Sequence, residues 1–122
     1  MKFVAVSVCV SFLILTGSAA QSAVLHSGPV TAGSGQHVNC GVTNLSKKTQ
    51  HFMVEIVDSS LSVVVSDPCG NGIVAQGTCV AFFLVPLNGG PFFTCRITTE
   101  FGKGTVRTTF HNADSGVSAD VQ

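Results

Sequence analysis

Strict two-residue alternation from Phe92 to His111, with a cysteine set inside it, constrains this chain more than any other feature. Phe93, Cys95, Ile97, Thr99 and Phe101 fall on one face of an extended strand, and Thr94, Arg96, Thr98 and Glu100 on the other. Val106, Thr108 and Phe110 then alternate with Thr105, Arg107, Thr109 and His111. A two-residue loop at Lys103-Gly104 predicts a hairpin with Phe101 opposite Val106, Glu100 opposite Arg107 and Ile97 opposite Phe110. A loop at Gly102-Lys103 keeps the same faces. No α-helix fits such a pattern.

The same period recurs upstream. Gln36 to Asn44 reads as a strand with Val38, Cys40 and Val42 inward, and Gln50 to Asp58 as another with Phe52, Val54 and Ile56 inward. Leu61 to Ser66 predicts a third, with Leu61, Val63 and Val65 on one face, ended by Asp67-Pro68. Thr78 to Val85 is nearly continuous apolar sequence stopped by Pro86, and Asn88-Gly89-Gly90-Pro91 marks a loop. A weak strand candidate covers Ala23 to His26, and a short extended piece starts at Val30. Ala113 to Gln122 is small and polar, and reads as a frayed tail. The whole predicts about seven short strands in an antiparallel β-sandwich.

At the start of the chain, Lys2 precedes an apolar run from Phe3 to Leu15, followed by Thr16-Gly17-Ser18-Ala19-Ala20. This order predicts a secretory signal peptide over residues 1–20, cleaved before Gln21. The run is shorter than the ~20 residues a membrane span requires, so no membrane anchor is expected after cleavage. Residues 21–122 then form a single domain, with a core over about 36–112 and the polar tail at 113–122. That domain carries five Lys and Arg against six Asp and Glu, a net charge of −1 with histidine neutral. Such a balance gives no field for nucleic acid.

Cys40, Cys69, Cys79 and Cys95 remain in the exported part, and an even count there predicts two disulfides. Three connectivities exist on paper. Cys69 and Cys79 flank the short glycine-rich return Gly70 to Thr78, whereas Cys40 and Cys95 each stand mid-strand on an apolar face. The favoured pairing is therefore Cys40–Cys95 with Cys69–Cys79, in a secreted or periplasmic protein.

Chemistry-bearing patterns are few. His51 and Glu55 share a strand face about 13 Å apart, too far to hold one ion. His51 and His111 would share an outer face only if their strands lay in one sheet, and no third ligand is evident. No methionine follows Cys95 as a blue-copper site requires, no serine stands in a Gly-x-Ser-x-Gly elbow, and paired cysteines leave no free thiol. No catalytic, metal or cofactor residue is expected. Asn44-Leu45-Ser46 is a formal glycosylation sequon on a turn, meaningful only in a eukaryotic host.

Asn39-Cys40-Gly41-Val42-Thr43-Asn44-Leu45-Ser46, the Gly77-led strand and Thr94-Cys95-Arg96-Ile97 before a final strand resemble small exported bacterial immunoglobulin-like domains of unassigned function. The resemblance runs from about Gln36 to Phe110. It implies an immunoglobulin-like sandwich and a bacterial host, and transfers no catalytic residue. The tryptophan that antibody domains pack on their inter-sheet bridge is missing.

A non-enzymatic exported module, binding or structural, acting by protein contact is the expected function. The alternative is a secreted inhibitor or effector whose loops block another protein's site. In Val80-Ala81-Phe82-Phe83-Leu84-Val85, alternation must turn one phenylalanine outward. With Cys79 in the core, Ala81, Phe83 and Val85 are buried and Val80, Phe82 and Leu84 look out. The opposite phase exposes Phe83. Val80, Phe82, Phe83 and Leu84 are thus the candidate contact surface, for an unknown protein partner or self-association, unless the lead-in or the tail folds over them.

Overall fold

Alternating apolar and polar residues bury one face of each strand, and two such faces close on one another in the computed structural model, which describes residues 22–122. The signal peptide expected over residues 1–20 lies outside the described residues. The strands are β1 (Ala23–His26), β2 (Val30–Thr31), β3 (His37–Asn44), β4 (Phe52–Asp58), β5 (Val63–Asp67), β6 (Thr78–Leu84), β7 (Phe92–Thr99), β8 (Val106–Asn112) and β9 (Ser118–Ala119). A single 3-10 turn covers Lys103–Thr105, and there is no α-helix among the described residues.

One antiparallel sheet runs β1-β7-β4-β5, with β2 also on β7, and the other runs β6-β3-β8-β9. Between them lie Val38, Val42, Phe52, Val54, Ile56, Phe93, Ile97 and Phe110, all buried. Cys40 of β3 is bonded to Cys95 of β7, so the bridge ties an inner strand of each sheet with Cα atoms 6.0 Å apart. Cys69 and Cys79 form the second bridge, from the segment after β5 to β6. The fold is all-β and sandwich-like, with both expected disulfides.

The predicted hairpin of the last two long strands does not form. β7 lies between β4 on one side and β1 and β2 on the other, so both its edges are occupied. β8 crosses through the 3-10 turn to the other sheet and pairs with β3, from Val38↔Asn112 to Asn44↔Val106. Alternation alone is the same for strands side by side and strands facing across a core, which is why the sequence pattern accepted both. Arg96 finds its partner on β4 instead: its Nε and Nη2 donate to the Glu55 carboxylate at 3.0 and 2.9 Å. Arg107 lies opposite Thr43, not Glu100.

Three smaller expectations also change. Leu61 is not in a strand; it has φ 65° in a turn that Asp58 organises by accepting from Ser60 and Ser62, and it is exposed. The core extends below residue 36, because Leu25 and Val30 are buried against β7. The tail is not frayed. β9 pairs with Phe110 and His111, and Gln122 exchanges both backbone hydrogen bonds with His26 at 2.8 and 3.0 Å. These bonds, with the Ser27↔Val121 bridge, stitch the two sheets together along one flank.

Candidate contact surface

Among the described residues, the opposite flank, formed by β5 and β6, is tied at one end, by the Cys69–Cys79 bridge and by Ile73 of the connecting segment, which exchanges both backbone hydrogen bonds with Gln50 and accepts from Asn44 Nδ2. No backbone hydrogen bond joins β5 to β6 along their length. β5 has the usual protection of an edge: its pairing with β4 slips at Ile56/Val57, and it ends in Asp67-Pro68. β6 has none. Its seven residues include no charge and no proline.

The backbone of β6 faces alternately toward and away from β3. Val85 donates to Gln36 O and Gly77 O accepts from Asn44 N, both at 2.9 Å, so odd-numbered residues of this run point their N–H and C=O at β3. Period two then turns those of Thr78, Val80, Phe82 and Leu84 out of the sheet edge. Among the described residues these outward groups have no backbone partner.

The same four residues project their side chains from the outer face. Cys79, Ala81 and Val85 are buried, and Phe83 is half-buried with its ring 5.6 Å from that of Phe93. Val80 is 48 % exposed, Phe82 68 % and Leu84 53 %. Of the four expected surface residues, the structure brings three together and turns Phe83 toward the core, where Cys79 sets the phase. Neither lead-in nor tail covers them: β1 is in the other sheet and β9 is at the far edge, beyond β8. Across this face Phe82 aligns with Asn39 and His111, and Val80 with Gly41 and Thr109. A Cβ on Gly41 would stand 2.9 Å from Thr109 Oγ1 and 3.4 Å from Val80 Cγ2, so glycine lets those side chains close over the strand. The face grades from apolar on β6 to polar on β8.

The histidines do not assemble. His51 precedes β4 in one sheet and His111 lies on β8 in the other. His51 instead grips Glu100, with its backbone N and its Nδ1 each 3.0 Å from Oε2. The backbone N–H first, and the ring second, hold the Glu100 carboxyl below its ordinary range. Alternation had assigned Glu100 to Arg107, so this pair was not foreseen. Ser22 lines the same open cleft of about 420 Å³, but no hydrogen bond joins it to His51. Asp67, Cys69 and Cys79 have ligand-type atoms within 4.8 Å of one another, with both sulfurs committed to the bridge.

Asn44 is fully buried and unavailable as a sugar acceptor in the folded chain. Its Nδ2 donates to Lys48 O at 2.7 Å and Ile73 O at 2.8 Å, while Oδ1 accepts from Ser46 N, Ser46 Oγ and Gln50 Nε2. Gln50, also buried, extends the network to Thr105 Oγ1 and Phe101 N. Residue parity could have found this cluster, since Asn44 shares the inward face of Val38 to Val42, and Gln50 that of Phe52 to Ile56.

No family model, curated protein or solved structure matches this chain.

Proposed function

We propose that this chain is an exported, non-enzymatic module that acts by protein contact, and that β6 makes the contact. One observation carries the reading: a single strand offers both an open backbone edge and an apolar outer face. Addition of an extended partner segment to such an edge supplies main-chain hydrogen bonds, while the alternate side chains give specificity. Two intramolecular disulfides suit an oxidising compartment, which is where export would place the chain. The immunoglobulin-like assignment is supported by the bridge between inner strands of the two sheets. It departs from the antibody pattern at β8, which joins the sheet of β3.

The test is selection of random phage-displayed peptides on the purified protein, with counter-selection on Phe82→Lys. The expected survivors are proline-free, alternately apolar peptides that shift the amide resonances of Val80, Phe82 and Leu84. Peptides that bind the variant equally well, or perturb only other surfaces, would refute the assignment.

A further inference from the structure

The open row of β6 is self-complementary. With Thr78, Val80, Phe82 and Leu84 pointing outward, antiparallel pairing of two copies about an axis beside Ala81 opposes Thr78 to Leu84 and Val80 to Phe82. Every outward N–H and C=O then meets a partner, about eight hydrogen bonds in all. The inward residue on the axis is Ala81, so the smallest side chain of the strand's buried face meets its own copy.

Charge distribution favours the same arrangement. Thr43↔Thr78 and Asn44↔Val106 mark the end of the sandwich where β6 begins. Lys47, Lys48, Lys103 and Arg107 all belong to that end against two carboxylates, Glu100 and Asp67, which leaves it net basic. His37↔Leu84 and Asp58↔Phe93 mark the other end, which carries Asp58 and Asp114. Antiparallel pairing sets the basic end of each copy beside the acidic end of the other. β6 itself has no charge to repel its copy.

We propose that the occupant of the β6 edge is a second copy of this chain, joined antiparallel strand to strand into one continuous eight-stranded sheet. The inference rests on the contact reading and names its partner. Pairing over this short strand covers on the order of 1,000 Å² in total, the lower limit for a specific interface. The dimer is therefore weak and reversible, with a dissociation constant of roughly 10–100 µM.

Sedimentation velocity from about 5 to about 500 µM should show the mass rising from monomer to dimer across that dissociation constant. Phe82→Lys should stay monomeric, because a charge on the paired edge blocks it. Val63→Lys, on exposed β5 of the same flank, should dimerise as the wild type does. In the wild type, amide exchange at Val80, Phe82 and Leu84 should slow with concentration, a measurement that needs no variant. A wild type that remains monomeric, a Phe82→Lys chain that dimerises normally, or amide exchange indifferent to concentration would overturn the proposal. If the wild type stays monomeric while selected peptides still dock on β6, the second copy is wrong and the contact reading stands. If Phe82→Lys dimerises normally and no peptide selects β6, the contact reading falls too.

Discussion

Replacing Asn44 by alanine should be among the most damaging single changes outside the apolar core and the disulfides. The variant loses the amide that caps Lys48 O and Ile73 O and the oxygen that receives Gln50 Nε2. Each net hydrogen bond contributes about 0.5–1.5 kcal/mol. Ile73 O keeps Gln50 N at 2.9 Å, Lys48 O keeps Ser46 Oγ at 2.9 Å and Gln50 Nε2 keeps Thr105 Oγ1 at 3.3 Å, so the loss is that of three buried hydrogen bonds, roughly 2–4 kcal/mol overall. Against a total of about 5–15 kcal/mol for a domain, that is a large share. Asn44→Asp should be no better, because it sets a buried carboxylate oxygen against the carbonyl oxygens of Lys48 and Ile73. Ser46→Ala destroys the same sequon but leaves the buried amide in place, and should cost under about 1 kcal/mol. Urea unfolding separates the three by their midpoints. Expression in a glycosylating host adds a second readout, since natively folded protein should carry no sugar on Asn44. A glycosylated chain of native stability, or equal midpoints for Asn44→Ala and Ser46→Ala, would refute the reasoning.

Two further outcomes follow from the bridges and the carboxylates. The Cys40–Cys95 bridge spans 55 residues and the Cys69–Cys79 bridge 10, so chain entropy makes the first worth about 4 kcal/mol and the second about 2.7. Cys40→Ala should accordingly lower the denaturation midpoint more than Cys69→Ala, and the reverse order would count against the loop-entropy account. Backbone N–H groups of His51 and His37, then their rings, depress the carboxyls of Glu100 and Asp114 in the folded chain. Their contribution is therefore full above the ordinary carboxylate range and is lost as pH falls through the depressed folded values. Glu100→Gln should flatten part of the fall in melting temperature below about pH 4.5, and an unchanged slope would dismiss the pair.

Period two made most of the strands legible, including β1 to the residue and the inward phase of β3 and β4, while for β6 it left two phases open. The same parity carries the polar interior, although Asn44 in the sequence reads only as a sequon on a turn. Asn44, Gln50 and Asn112 have the parity of the core residues on or beside their strands, and all three are buried at strand ends, where a side-chain amide can satisfy turn backbone. What parity does not carry is which strand lies beside which. The adjacency of β7 and β8 in sequence, with opposite charges at Glu100 and Arg107, argued for a hairpin at about the 0.2–1 kcal/mol a cross-strand pair supplies. The competing arrangement gives Arg96 a two-point bond to Glu55 and lets β1, β2 and β4 fill both edges of β7. No local signal in the turn could outweigh that sum.

The tail shows the same limit and explains the flank. Ala113 to Gln122 has too little apolar surface to announce a strand, yet its backbone closes the edge where β1 and β8 would otherwise lie open. Small polar residues suffice there, because main-chain groups do the pairing and Ala119 and Val121 need only touch the core. Sealing one flank with backbone leaves the other to be managed by sequence, and β5 is so managed, by its slipped register, Asp67 and Pro68. β6 keeps seven uncharged residues with their apolar side chains and their free peptide groups on show together. An edge that merely had to avoid aggregation would be served by one lysine at Val80 or Phe82, at no loss to the core, since both point away from it. Its absence is the physical reason to treat this strand as an interface held open for a partner.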